Sequence, residues 1–325
     1  MNSVAALIVT HQSAAVVADC VGAARQRCGE VLVIDNASTD HSAEVARAAG
    51  AGVVANSRNL GFAAAVNQGV GLISKQFVLL LNPDTTLLDP LEPLLEACGS
   101  PETGGATGLL LDASGTPQRG FTLRRLPNAS TLAAEVLGVN RLWPGNPLNW
   151  SYRCYDKDLT LPGEVEQPPG AFLLFRRSLW EALGGFDEAF WPIWFEDVDF
   201  CARARRIGFR FAYVPAVRAR HAGAHSIRQL PEGDRQVYWY GSLLRYAAKH
   251  FGPVSCRALA SAILIGSFPR VAGAVVRDRS FQPAAGWVRV VRMAAGALWY
   301  GPRLFRVEGE WRRLAVDSSE SSQDN

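Results

Sequence analysis

The first hundred residues alternate between short, continuous apolar runs and longer stretches with helical spacing. Ala5–Thr10 is apolar up to its polar end, the pattern of a parallel strand buried on both faces. Val31–Asp35, Val53–Asn56 and Phe77–Leu81 repeat it. Between them, Ala14–Arg27, Thr39–Ala49 and Phe62–Ile73 read as helices. Ser38 or Asp40 is placed to cap the second, and Gly61 opens the third. This β-α-β-α-β-α-β order predicts an α/β fold with a mainly parallel central sheet flanked by helices. In such sheets ligands bind beyond the carboxyl ends of the strands. Those ends carry Thr10-His11-Gln12, Asp35-Asn36, Asn56 to Asn59, and Asn82-Pro83-Asp84, so polar residues gather on one rim.

The pattern weakens over residues 100–170, which are rich in Gly, Pro and Trp and read as short strands and loops framing an acceptor cleft. Pro168-Pro169-Gly170-Ala171 leads into a further strand, Phe172–Phe175. Asp199–Ile207 reads as a helix closed by Gly208, Phe211–Val214 as a strand, and Gln236–Phe251 as a helix closed by Gly252-Pro253. Beyond 253 the character changes. Ala258–Phe268 and Val271–Val276 are apolar runs separated by Pro269-Arg270, and neither alone reaches the roughly 20 residues of a spanning helix. Gly286–Leu298 sets Arg289 and Arg292 among Trp287, Val288, Val290, Val291 and Met293. Such segments suit helices lying in a membrane interface. Packing on the rest of the chain as ordinary helices is the alternative. The expected organisation is therefore a main domain over 1–252, a helical, membrane-interfacial appendage over 253–313, and a disordered tail over 314–325.

Charge sharpens that division. The net charge of +3 hides a segment, 253–313, with ten arginines and three acids, followed by a tail with three acids and no base. No nucleic-acid partner is expected. The six cysteines, Cys20, Cys28, Cys98, Cys154, Cys201 and Cys256, form no CxxC pair and read as buried, reduced thiols. The apolar stretch Val4 to Val9 has neither a basic n-region nor a small-residue cleavage site, so it reads as a strand rather than a signal peptide. A cytoplasmic protein, peripheral on the inner face of the cell membrane, is the expectation.

The densest chemistry lies in Trp194-Phe195-Glu196-Asp197-Val198-Asp199, three carboxylates in four positions beside aromatics. Clustered carboxylates of this kind sit in clefts, where one can act as a base. Asp199 is also placed to cap the helix that follows. Arg203, Arg205 and Arg206 on that helix either face a lipid diphosphate or are solvated. No GxGxxG opens the first helix, and no GxxxxGK followed by Ser or Thr occurs, which argues against a dehydrogenase and a P-loop enzyme.

Seven stretches in order carry a family resemblance. They are Ala6 to Thr10; Val33-Ile34-Asp35-Asn36-Ala37-Ser38-Thr39-Asp40; Asn59-Leu60-Gly61-Phe62 through Asn67-Gln68-Gly69; Leu80-Leu81-Asn82-Pro83-Asp84; Pro169-Gly170-Ala171; Phe195 to Asp199; and His221 with Gly223 and Ser226. Over residues 4–252 the chain resembles a family 2 glycosyltransferase with a GT-A fold, especially the bacterial rhamnosyltransferase-like branch. The resemblance implies that Asp35 accepts the N3–H of uracil or thymine, with Thr10 and Asn59 framing the nucleotide. His11-Gln12 stands where the family often has Tyr-Asn. Asn82 replaces the first acid of the Asp-x-Asp signature, which leaves Asp84 as that motif's anionic metal ligand and His221 as a second; His225 reads as structural or solvated. Gly170 lets the backbone approach the sugar. Asp197, with Glu196 beside it, becomes the base that deprotonates the acceptor hydroxyl.

The implied activity is a metal-dependent, inverting glycosyl transfer using Mg²⁺ or Mn²⁺. The donor expected is dTDP-L-rhamnose, with UDP-galactofuranose and UDP- or GDP-linked hexoses as alternatives. The acceptor expected is a glycan, free or on a polyprenyl diphosphate, in surface polysaccharide assembly. Two rivals stand beside this reading. A nucleotidyltransferase would carry a Gly-rich, basic loop after the first strand, where this chain has Thr10-His11-Gln12-Ser13. A nucleotide-sugar-binding scaffold without turnover draws its support from Asn82.

Overall fold

The computed structural model describes residues 3–223, 230–278 and 282–306. The expected tail, Ser226 and His225 lie outside them. The chain divides into two compact units, and the division does not fall at residue 252. The first unit takes Met1–Leu126, Ser151–Glu188 and Glu196–Arg228; the second takes Pro127–Trp150, Ala189–Phe195 and the chain from Gln229 onward.

The first unit is built on nine strands: β1 (Val4–Thr10), β2 (Glu30–Asp35), β3 (Gly52–Ala55), β4 (Phe77–Leu81), β5 (Thr85–Leu87), β6 (Thr103–Leu111), β7 (Gly163–Val165), β8 (Phe172–Arg176) and β9 (Arg210–His221). They form one sheet in the order β3-β2-β1-β4-β8-β6-β9-β5, with β7 added alongside β9. The β3-β2-β1-β4 half is parallel. β8 runs antiparallel to both β4 and β6, so the sheet is mixed beyond β4. Burial on both faces explains the continuous apolar runs. Ala5, Leu7 and Val9 of β1 join a cluster with Val66 and Val70 of the helix Phe62–Leu72. Val4, Ala6 and Ile8 point the other way, onto Cys20 and Val21 of the helix Val17–Arg25. All six cysteines are free thiols, five of them buried.

Residues 100–170 differ from expectation. Instead of short strands and loops throughout, they supply the nine-residue strand β6 at the middle of the sheet. They also give the helix Ala129–Val136 to the second unit. In that unit Pro253–Asp278 is a single helix that runs through Pro269, where an interruption was expected. Proline removes one helical hydrogen bond, but packing against Ala129–Val136 and Gln282–Tyr300 overrides that loss. The two apolar runs thereby merge. Pro253–Gly273, 21 residues that contain an 18-residue segment of mean hydropathy 1.2, is long and apolar enough to cross a membrane by length and composition, and 39% of that segment is buried in the protein.

Candidate active site

The parallel strands align their carboxyl ends. Thr10 lies opposite Asp35 in the β1–β2 register, and its hydroxyl donates to Asp35 Oδ1 at 2.8 Å. Ser38 adds its backbone N–H to Oδ2 (3.0 Å) and its hydroxyl to Oδ1 (2.5 Å). Asp35 is thus both the organiser of its own turn and a carboxylate fixed on the rim. Ser38 is committed to Asp35, and Asp40 is the residue that accepts the Ser42 N–H (3.1 Å) at the start of the next helix. Neighbouring loops are tied in by amides. Asn36 donates to Gly61 O (3.1 Å) and accepts from Leu60 N–H (3.2 Å), while Asn59 accepts from Gly61 N–H (2.9 Å). The His11 ring faces Asn36 O at 2.9 Å.

Asp84 and His221 meet because β5 pairs with β9. Thr85 lies opposite His221, and Ala222 N–H donates to Asp84 O at 3.1 Å. Asp84 Oδ2 accepts Gly223 N–H (2.9 Å), and Oδ1 lies 3.5 Å from His221 Nε2. Gln118 decides the tautomer. Its amide nitrogen donates to His221 O at 2.8 Å, so its oxygen is the atom facing His221 Nδ1 at 3.1 Å. Nδ1 therefore carries the proton, and Nε2 presents a lone pair to a carboxylate oxygen. Burial lowers the His221 pKa, against the pull of Asp84, and keeps the ring neutral. Two acceptors facing each other at 3.5 Å, 4–5% exposed, are a poor arrangement unless a cation lies between them. Asn82 Nδ2 approaches Nε2 at 3.5 Å and is a weak substitute. The donor set fits a divalent cation completed by ligand oxygens and water. Among the described residues no group of three or more His, Cys, Asp or Glu forms a full cage.

Asp197 sits in the first turn of the helix Glu196–Arg206, which begins three residues earlier than expected. It follows Trp194 and Phe195, both in the left-handed region (φ 81° and 70°). Such conformations cost on the order of 1 kcal/mol or more each and mark places where the surroundings dictate the geometry. Asp197 Oδ2 accepts Gly170 N–H (3.0 Å) and Oδ1 accepts Val198 N–H (2.8 Å). A Cβ at Gly170 would lie 3.3 Å from Asp197 Oδ2, closer than an ordinary contact. Its neighbour Ala171 accepts from Asn82 N–H (3.2 Å) and Thr85 Oγ1 (3.1 Å). The Gly170-Ala171 peptide therefore ties Asp197 to the Asp84 loop.

Electrostatics separate the carboxylates. Burial pushes the Asp197 carboxyl up, opposed by the Gly170 and Val198 N–H groups and by Arg124. Glu196 is pushed up as well, by burial first and then by the charge of Asp197, and its Oε2 is buried without a hydrogen-bond partner. Asp199 does not cap the helix. It is fully buried and accepts from Arg203 Nε at 2.7 Å, one turn on. Arg203 also donates to Leu183 O (2.8 Å) and Gly185 O (2.7 Å). That network makes Arg203 a structural clamp, with no fork left for a lipid diphosphate. Arg205 pairs with Glu164 at 3.0 Å, and Arg206 is exposed.

Three residues come to the site unannounced by the sequence pattern: Gln118, Phe121 and Arg124. Phe121 stacks on the His221 ring (centroids 5.2 Å apart, planes at 10°), and Arg124 lies over Phe121 at 5.1 Å. They follow β6 in a stretch without periodicity, and only β9 brings them to the rim.

Known proteins share both fold and sequence pattern. The chain is 28% identical over 246 residues to N-acetylglucosaminyl-diphospho-decaprenol L-rhamnosyltransferase of Mycobacterium tuberculosis, covering 70% of this chain and 78% of that protein. It is 26% identical over 176 residues to rhamnosyltransferase WbbL of Escherichia coli, covering 53% and 62%. Among solved structures, GalNAc-T7 with UDP, GalNAc and Mn²⁺ superposes with a TM-score of 0.53 at 16% identity, over 76% of this chain and 48% of that one. The mannosyltransferase PcManGT from Pyrobaculum calidifontis, with GDP-Man and Mn²⁺, gives 0.52 at 16% identity, over 98% and 87%. At such identity these structures speak for the GT-A-like fold. The model of the glycosyltransferase-like family 2 matches residues 157–236, and that of glycosyl transferase family 2 matches residues 5–184. The longer match runs unbroken through the Asp35 turn, the Asp84 loop and Gly170, more than half of the chain, which therefore belongs to glycosyl transferase family 2.

Proposed function

We propose that this glycosyltransferase moves L-rhamnose from dTDP-L-rhamnose to a glycan carried on a polyprenyl diphosphate, with a divalent metal and inversion at the anomeric carbon. The observation that carries the reading is the Gly170-Ala171 tie, which joins Asp197 to the Asp84–His221 pair. Asp84 and His221 would hold Mn²⁺ or Mg²⁺, which supplies charge to balance the departing diphosphate. Both solved neighbours carry Mn²⁺, which supports a metal here. Asp35, Thr10 and Asn59 hold the base and ribose side of the donor; Asn82 and Gly170 line the way to its sugar. Asp197 removes the acceptor proton. Both Asp197 oxygens accept backbone N–H groups that favour the ionised form, whereas Glu196 Oε2 is buried without a partner, so Asp197 is the carboxylate available as base. One displacement by the deprotonated hydroxyl inverts the centre. The rhamnosyl donor is supported by the mycobacterial and Escherichia coli relatives, and the lipid-linked acceptor by the mycobacterial one. A nucleotidyltransferase falls away with the family assignment.

A thermal-shift panel of dTDP-rhamnose, UDP-glucose, UDP-galactofuranose and GDP-mannose, each with and without Mn²⁺, tests this. Binding to the native state raises its melting temperature by mass action. A Mn²⁺-dependent rise with dTDP-rhamnose is expected. A rise with a different donor alone reassigns the sugar, and no rise with any of them sinks the reading.

A membrane-surface role for the second unit has its own support. Val254, Ile265, Phe268 and Val276 lie along the exposed side of Pro253–Asp278, at helical spacing. Val288, Val291, Leu298, Trp299 and Tyr300 are exposed on Gln282–Tyr300, with Arg292 among them. Apolar stripes with arginines and terminal aromatics suit the interface of an anionic bilayer. The buried share of Pro253–Gly273 and the hydrogen bond from Arg270 to Gly266 O (2.6 Å) favour a helix lying on the surface over one crossing it. Phe268→Ser with Trp299→Ser is expected to cut flotation with anionic vesicles at least tenfold; unchanged flotation defeats the assignment.

A further inference from the structure

We propose that Arg124 is a phosphate-binding residue whose guanidinium fork grips a substrate diphosphate between the candidate base and the candidate metal pair. The proposal rests on the glycosyltransferase reading above.

Arg124 is anchored but not satisfied. Its Nε donates to Gly120 O at 2.8 Å, and its Cζ lies 5.1 Å from the centre of the Phe121 ring. The same ring stacks on His221. On the other side, Arg124 O accepts Gln167 N–H (3.1 Å), three residues before the Gly170 that holds Asp197. The charge of Arg124 reaches the Asp197 carboxyl and favours its ionised form. The side chain thereby lies over the ring that stacks on His221, and its charge acts on Asp197. Its terminal nitrogens, Nη1 and Nη2, have no hydrogen-bond partner among the described residues.

Four other arginines of this unit are occupied. Arg203 is spent on Asp199 and two carbonyls, Arg218 on Asp89, Arg125 on Asp156 and Arg205 on Glu164. A guanidinium held by its Nε and a ring face, with both terminal nitrogens open, is a pre-set fork for paired phosphate oxygens.

The chemistry calls for such a group. A nucleotide-sugar diphosphate together with Asp84 outweighs a single divalent cation, and the leaving group gains a further negative charge as the glycosidic bond breaks. A second, permanent positive charge offsets it. A lipid-linked acceptor would bring the same diphosphate chemistry from the other side, next to Asp197. The experiment separates the two sources.

Wild type, Arg124→Ala and Arg124→Lys are titrated calorimetrically with UDP and dTDP in Mn²⁺, with farnesyl diphosphate, and with uridine and thymidine as phosphate-free controls. Arg124→Ala is expected to weaken diphosphate binding ten- to a hundredfold and to leave the nucleosides unchanged. Arg124→Lys restores only part of the loss, because an ammonium lacks the fork. A loss confined to UDP and dTDP assigns Arg124 to the donor; a loss confined to farnesyl diphosphate assigns it to the acceptor. Unchanged affinity for all three diphosphates overturns the proposal, as does an equal loss with the nucleosides, which marks a structural role. If Arg124→Ala does not fold, Arg124→Gln gives the same comparison. A wild type that binds no diphosphate defeats the glycosyltransferase reading itself, a result distinct from failure of the Arg124 assignment.

Discussion

Asp197→Asn is expected to lower kcat on the order of 10³-fold while leaving the donor dissociation constant within about twofold. Asn has the same shape and can keep one of the two backbone bonds, from Gly170 N–H or Val198 N–H, that fix the carboxylate. It cannot accept a proton. Glu196 is poorly placed to substitute: burial, the largest cause of its raised pKa, persists after the Asp197 charge is removed. The same environment fixes the sign of the pH dependence. A base works in its ionised form, and burial raises the Asp197 pKa. The acid limb of kcat/KM in the wild type should therefore lie above the ordinary Asp value, with activity rising as pH climbs through it. Residual activity of Asp197→Asn should lack that limb. Initial-rate kinetics across pH, with calorimetric donor titration alongside, make the check. A variant keeping more than about a tenth of wild-type turnover, or one that retains the same acid limb, would remove Asp197 from the role of base.

The parallel half of the sheet was legible because its strands are apolar runs buried on both faces and closed by polar residues. Phe77–Leu81 begins and ends where the sequence places it, and β1 and β2 differ by one residue at their starts. β6 was hidden. Its sequence, Thr-Gly-Gly-Ala-Thr-Gly-Leu-Leu-Leu, has the glycines of a loop, yet they are there because neighbouring strands come close. A Cβ on Gly105 would run into the Leu174 carbonyl. Pro269 misled for the opposite reason: a local breaker was overridden by packing that no local pattern shows. Within the site, residues at strand ends could be named from the order of the elements, since that order fixes where parallel strands finish. The sequence pattern reads Asp199 as a cap and Arg203 as either solvated or facing a lipid diphosphate, although their spacing of four on one helix already describes an ion pair. Arg124 and Gln118 had no such signal. Their roles come from the β6–β9 and β5–β9 pairings, which bring distant segments together.

Asp84→Asn is expected to abolish the metal-dependent part of donor binding, a loss on the order of 100-fold in affinity with Mn²⁺ present, and to leave metal-free binding unchanged. Asn is a sharper test than Ala here. Asp84 Oδ2 accepts Gly223 N–H at 2.9 Å, and an amide oxygen can keep that bond and hold the β5–β9 corner together. What disappears is the charge on the oxygen facing His221 Nε2. The amide NH₂ can then donate to the Nε2 lone pair that Gln118 holds open, filling the place the cation would take. The substitution therefore removes the need for a cation as well as one of its ligands. Titration of dTDP into wild type and variant, with Mn²⁺ and with chelator, measures both terms. Superimposable curves in Mn²⁺ would count against Asp84 as a metal ligand. An equal loss with chelator would make Asp84 a structural residue of the donor site. Loss in Mn²⁺ alone would tie the metal to the carboxylate, because the backbone bond that orients the loop survives in both proteins.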